Sequence, residues 1–187
     1  EQTITYPDYK LEESVSLLRK YGLILSSTHH TACNNNLVTW KEYWYKVHGI
    51  APPKLLLSDE KSLCEFWQYS IETVCRCEQE NLWTIAFRGI GDQPYWAAFE
   101  DAPVSEEERA EVINRMLHIQ LAMIKEKTGN PNPFVCVTFY DELSDLLAKG
   151  YLKPPVGNNI LWTFVAARRD HYPYDDIVTF DTATQIN

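Results

Sequence analysis

The fold is decided by the stretch Leu82-Trp83-Thr84-Ile85-Ala86-Phe87, which runs directly into Arg88-Gly89-Ile90-Gly91-Asp92. A strand with one face in water alternates apolar and polar side chains, whereas this run is almost continuously apolar. It therefore predicts a strand that is buried on both faces. Such strands occur in parallel sheets covered by helices, so the stretch indicates an α/β protein.

Further apolar runs before and after this one are separated from each other by helical patterns. The other predicted strands are Leu23–Leu25, Phe134–Phe139 and Asn159–Val165. The predicted helices are Tyr9–Lys20, Leu37–His48, Asp59–Glu80, the segment from the capping residue Ser105 to Gly129, and Tyr140–Gly150. Strands that alternate with amphipathic helices predict a parallel sheet with right-handed crossovers.

Two architectures fit this order of elements, a doubly wound open sheet and a (β/α) barrel. No glycine-rich phosphate loop follows the first strand, which disfavours a nucleotide-binding open sheet. A complete eight-stranded barrel usually needs about 250 residues. If the parallel (β/α) units belong to a TIM-type (β/α)8 barrel, four strands in 187 residues are about half of one, and both architectures stay open at this point.

Composition excludes several classes of protein. A chain of 187 residues with 45% apolar and 13% aromatic residues forms a real core, and its length predicts a single α/β domain over residues 1–187. The net charge of −9 argues against nucleic acid and against anionic membranes as partners. No apolar run is long enough to cross a membrane.

Polar and titratable residues follow the predicted strands where a ligand site of either architecture would lie, at the carboxyl ends. The residues concerned are His29 and His30, Arg88 and Asp92, Tyr140 and Glu142, and Arg168 and Arg169. Carboxylates, imidazoles, arginines and nearby aromatic rings are typical of a carbohydrate site, since carboxylates perform acid and base chemistry and an arginine fork binds carboxylates.

Structural roles for the same residues stay open at this point. Arg88 and Asp92 could form an ion pair that only holds a loop, and Glu142 could simply favour the start of a helix. The two histidines could be ordinary loop residues. They lack a third ligand at suitable spacing, so no metal site is predicted.

Several segments, in order, resemble glycoside hydrolase family 115, the xylan α-1,2-glucuronidases, which remove (4-O-methyl)glucuronic acid with inversion. Tyr21–His30 resembles the family's strand with its double histidine, and residues 88–92 resemble its R-G-D-G-D loop. Tyr140-Asp141-Glu142-Leu143 resembles its Y-K-E-V segment. The other matching positions are Trp40, Phe66-Trp67, Gly150, Pro154 and Leu161-Trp162.

The resemblance implies that residues 1–187 are an excerpt of a (β/α)8 catalytic barrel from a longer, multidomain chain. It implies a uronic-acid-bearing plant polysaccharide as substrate, no cofactor, a secreted or periplasmic location, and a homodimer formed by other parts of the parent chain. Asp92 and Glu142 would be the catalytic pair, with neither role assigned. His29, His30, Arg88 and Tyr140 would bind substrate, with Arg88 on the uronate carboxylate.

The sequence departs from the family pattern at three places. Thr31 stands where an acid follows the histidines, Ile90 replaces the first acid of the R-G-D-G-D loop, and Phe164-Val165-Ala166 replace an acidic run after the tryptophan. These changes keep open a second reading, a carbohydrate-binding barrel without catalysis. The third reading is a doubly wound domain unrelated to sugars.

Overall fold

The computed structural model describes residues 11–26, 37–76, 78, 80–90 and 93–165. The helices are α1 (Leu11–Tyr21), α2 (Leu37–Tyr43), α3 (Glu60–Cys75), α4 (Glu106–Thr128) and α5 (Glu142–Ala148). The strands are β1 (Leu25–Ser26), β2 (Asn81–Ile85), β3 (Val135–Tyr140) and β4 (Ile160–Val165). Two short helical segments are added, a π-helical turn at Trp44–His48 and a 3-10 turn at Tyr95–Ala97.

The four strands form one parallel sheet in the order β1-β2-β3-β4. Every neighbour in the sheet is also the next strand along the chain, and helices lie between them. This confirms the predicted α/β class and the predicted parallel, sequential strand order. It is also the arrangement of one segment of a (β/α) barrel wall.

The two faces of the sheet differ in chemistry. Trp83 is in register with Val135, and Ile85 with Val137 and Trp162, so these side chains share one face. They belong to the large buried cluster that also contains the apolar residues of α3 and α4. The core therefore lies between this face and the helices.

Small and polar side chains occupy the opposite face. Thr84 pairs with Cys136, and Thr138 with Thr163. The Thr163 hydroxyl lies 3.2 Å from that of Thr138 and 3.3 Å from the Cys136 sulfur. Arg88 and Tyr140 lie further along the chain in the same alternation, so they belong to this polar side of the sheet.

Local signals explain where the long helix α4 begins and ends. The Ser105 hydroxyl caps the helix by accepting a hydrogen bond from the Glu108 backbone N–H, and it donates one to the Glu108 carboxylate. Gly129 ends the helix with a positive φ of 64°, a conformation that glycine adopts without steric cost. Within the part of the chain that the structure describes, no helix has the length and apolarity needed to cross a bilayer.

The first predicted strand is wrong in its position and in its burial. It comprises only Leu25 and Ser26, whereas Leu23 and Ile24 are 57% and 50% exposed. Gly22 ends α1 with the Leu23 N–H still bonded to the Leu18 carbonyl, so the residues after it belong to the helix end and not to the ladder. The helix predicted over Leu37–His48 also changes to π geometry at Trp44, and the one predicted to reach Glu80 ends at Cys75.

Candidate active site

Arg88 lies three residues beyond the end of β2 and is almost completely buried, with 1% of its surface exposed. An isolated guanidinium cannot be buried without a large loss of hydration free energy, so its partners decide what it does. Those partners come from β3 and from the start of α5.

Glu142, the first residue of α5, provides the charge partner. Arg88 Nε donates to Glu142 Oε1 and Arg88 Nη2 donates to Glu142 Oε2, each at 2.8 Å. This is the bidentate geometry of an arginine fork on a carboxylate, which is stronger and more directional than a single charged hydrogen bond. The side chains are 1% and 11% exposed. Because both carboxylate oxygens of Glu142 accept from this one guanidinium, the pair fixes the orientation of the carboxyl group.

Tyr140, the last residue of β3, completes the group. The Arg88 guanidinium carbon lies 4.5 Å from the centre of the Tyr140 ring, within the range of a cation–π contact. The three residues Arg88, Tyr140 and Glu142 are called the arginine cluster below. Two neighbouring strand ends build it, as the strand-end rule predicts.

The backbone between Tyr140 and Glu142 turns sharply. Asp141 has φ 47° and ψ −111°, and its carbonyl accepts hydrogen bonds from the N–H groups of Ser144 and Asp145. The Ser144 hydroxyl donates to the Phe139 carbonyl at 3.2 Å. These bonds fix the first turn of α5, and with it the position of Glu142 against Arg88.

The loop after Arg88 passes close to itself. The Gly89 N–H donates to the Gln93 carbonyl at 2.6 Å, and a Cβ at Gly89 would lie 2.6 Å from the Pro94 carbonyl oxygen. Glycine is therefore required here by a close backbone approach. Tyr95 anchors the loop in the core; burial raises the pKa of its phenol, and its hydroxyl donates to the Arg109 carbonyl at 3.3 Å.

Gln120 of α4 is a site residue that the sequence analysis missed. It is fully buried, its Nε2 donates to the Ala86 carbonyl at 2.9 Å, and its Oε1 accepts from the Ala86 N–H at 3.1 Å. Ala86 lies two residues before Arg88. A signal was present in the sequence, since Gln120 interrupts the apolar stripe of α4 that includes Met116, Leu117 and Ile124.

The structure brings together three of the six predicted site residues, Arg88, Tyr140 and Glu142. His29, His30 and Asp92 lie outside the described residues, as do Arg168 and Arg169. Arg88 bonds to Glu142, which follows the neighbouring strand, so Arg88 links two elements of the fold.

A family model described as Glycosyl hydrolase family 115 matches residues 3–174. The chain belongs to this family. Comparisons with curated proteins and with solved structures give no match. Membership of this family indicates a glycoside hydrolase, whose class of substrate is carbohydrate. The parallel sheet is consistent with a partial (β/α) barrel.

In this family 115 chain, the arginine cluster presents one carboxyl group that is 11% exposed, oriented by a buried guanidinium and next to an aromatic ring. Glycoside hydrolysis ordinarily uses two carboxyl groups, one that donates a proton and one that accepts a proton or attacks the sugar.

Proposed function

We propose that the protein supplies part of the active site of an inverting xylan α-1,2-glucuronidase, with Glu142 as general base and Asp92 as general acid. The assignment of Glu142 rests on its bidentate bond to Arg88, in which both hydrogen bonds are 2.8 Å long. A carboxylate held in this way has a fixed orientation, so one of its oxygens can be aimed at the water molecule that it deprotonates. The acid role then falls to Asp92, the other carboxyl group at a different strand end.

In the proposed reaction, Glu142 takes a proton from a water molecule as its oxygen attacks the anomeric carbon of the uronic acid. The bond from that carbon to the xylose oxygen breaks, and the Asp92 carboxyl group donates its proton to the departing oxygen. Inversion requires the water to fit between base and sugar, so the two carboxyl groups should stand about 6.5–9.5 Å apart.

Arg88 has a different role in this proposal from the one that the sequence predicts. Its Nε and Nη2 groups bond to Glu142, and 1% of its surface is exposed. We therefore assign Arg88 to the orientation of Glu142. Recognition of the uronate carboxylate belongs in this proposal to His29 and His30, with Tyr140 beside the sugar.

The test compares two substrates that differ in their need for an acid. Glucuronoxylan has a poor leaving group that must be protonated, whereas a nitrophenyl α-glucuronide has a leaving group that departs without protonation. Glu142→Gln should lower kcat about 10²–10⁴-fold on both substrates, because the attacking water needs the base in each case. Asp92→Asn should show a similar loss on glucuronoxylan and a much smaller loss on the nitrophenyl glycoside.

Asp145→Asn is the matched control, because it removes the same charge from an exposed position on the same helix. It should keep kcat within about twofold, as an exposed substitution away from the site. The configuration of the first sugar released, read by proton NMR, should be inverted. Retained configuration, or full activity of Glu142→Gln, would refute the proposed roles. Sugar binding without hydrolysis by the unsubstituted protein would favour the carbohydrate-binding reading.

A further inference from the structure

The backbone of Ala86 lies just past the point where β2 separates from β3. The last pair of residues in register is Ile85 with Val137. Beyond it the β3 ladder no longer supplies partners, yet Ala86 is 2% exposed. Buried backbone N–H and C=O groups must find other partners, because they have lost their bonds to water.

The Gln120 side chain supplies both of those partners from α4. Its amide group donates to the Ala86 carbonyl and accepts from the Ala86 N–H, at 2.9 Å and 3.1 Å. One amide therefore replaces one residue of a neighbouring strand. A glutamine with no exposed surface on the core face of a helix is otherwise unfavourable, which indicates that these two bonds determine its position.

This contact fixes the chain immediately before the arginine cluster. Two residues of extended backbone span about 7 Å, so a change in the position of Ala86 is transmitted to Arg88 with little room for adjustment. The bidentate bond to Glu142 tolerates small displacements only, since both N–H groups must stay aligned with both oxygens.

We propose that Gln120 is a positioning residue, which holds the end of β2 so that Arg88 can orient Glu142. The kinetic part of its test rests on the proposed glucuronidase function, and the spectroscopic part does not.

Two substitutions separate positioning from packing. Gln120→Met keeps the length of the side chain and removes both hydrogen bonds. Gln120→Glu introduces a carboxyl group that, when ionised, can only accept, so it bonds the Ala86 N–H and repels the carbonyl. When protonated, the same group has one donor and one acceptor and reproduces the pattern of the amide. Burial raises the pKa of such a group, so it is protonated at about pH 5.5.

The readout independent of activity is the Nε–H signal of Arg88 in the intact protein labelled with ¹⁵N-arginine. Arg88→Lys identifies the signal by its loss. Gln120→Met should shift or broaden it at every pH. Gln120→Glu should do so at about pH 9.5, where even a buried carboxyl group is ionised, and return it toward the unsubstituted position at about pH 5.5, with each spectrum compared at the same pH.

Kinetics should follow the spectra. Misplacement by about 1 Å costs up to roughly 10²-fold, so kcat/KM for Gln120→Met should fall about 10–100-fold. For Gln120→Glu the ratio to the unsubstituted protein should recover as pH falls. Ile113→Ala, at another fully buried position of α4, is the control for lost packing. It should lower Tm, leave the position of the Arg88 signal unchanged, and keep kcat/KM within about threefold.

An Arg88 signal that stays unchanged in Gln120→Met, or a Gln120→Glu signal that does not respond to pH, overturns the positioning role. If Gln120→Met does not fold, the two pH values of Gln120→Glu still decide. A full-length parent protein that releases no uronic acid, together with an Arg88 signal that follows Gln120, refutes the proposed function and supports the positioning role.

Discussion

Removing either member of the Arg88–Glu142 pair should destabilise the protein more than removing both. Arg88→Met leaves a carboxyl group that is 11% exposed without this guanidinium, and Glu142→Met leaves a guanidinium that is 1% exposed without this carboxylate. Breaking a buried pair on one side typically costs about 3–5 kcal/mol. For a domain of this size, that loss corresponds to a fall in Tm of about 6–20 °C.

The double variant removes both charges of this pair, and replacing both partners of a buried pair by apolar groups is often nearly neutral. We therefore expect it to be more stable than either single variant. The coupling free energy is the sum of the two single losses minus the loss in the double variant. It should then exceed the larger of the two single losses, and therefore be at least about 3 kcal/mol.

Urea unfolding of the four proteins measures this coupling, from the midpoints and slopes of the transitions. Combining Arg88→Met with Asp145→Asn provides the control cycle, which should be additive within about 0.5 kcal/mol. If the losses for Arg88 and Glu142 also add within that margin, the two side chains do not depend on each other, and the reasoning for the active site fails.

Two further predictions concern the surroundings of the site. Gly89→Ala places a Cβ 2.6 Å from the Pro94 carbonyl oxygen. Because a backbone atom cannot rotate away, the substitution should lower the free energy of unfolding by about 1–3 kcal/mol, measured by thermal unfolding. A change below about 0.5 kcal/mol would contradict the close approach. Partial burial alone would raise the pKa of Asp101, but hydrogen bonds from the Leu57 and Ser58 N–H groups at 2.7 and 2.9 Å hold that pKa below its ordinary value. A carboxyl group with a lowered pKa stabilises the folded protein at pH values above its unfolded-state pKa of about 4, and this stabilisation is lost as the pH falls. Asp101→Asn should therefore be less stable than the unsubstituted protein at neutral pH and equally stable near pH 2. A stability difference that does not depend on pH would refute this.

The sheet was predictable where sequence and tertiary structure impose the same requirement. The runs at Leu82 and Phe134 are apolar because both faces of β2 and β3 are covered, so local pattern and final burial agree. At Leu23 and Ile24 the same apolar signal accompanies exposed residues. Apolar character shows that a segment can be buried, whereas pairing depends on where the neighbouring strand begins, which no local pattern records.

The candidate site was predictable in membership but not in pairing. The strand-end rule placed Arg88, Tyr140 and Glu142 at one edge, because parallel strands bring their carboxyl ends together. It could not show which carboxylate Arg88 contacts, since that depends on the register of β2 against β3 and on the turn before α5. Gln120 was missed for a related reason: its place in the apolar stripe of α4 indicated a buried amide, but no residue type in the sequence shows that its partner is the backbone of Ala86.

Asp141 places conformational stability and site geometry in opposition at a single residue. Its φ of 47° with ψ of −111° lies where glycine is at ease and other residues lose about 1–3 kcal/mol. Selection for stability alone would favour glycine at this position. Glycine would also free the hinge that carries Glu142, because it widens the range of backbone conformations available there. A variant selected only for a higher unfolding temperature would therefore lose the alignment of the Glu142 carboxylate. A strained non-glycine residue directly before Glu142 is consistent with a functional role for that alignment.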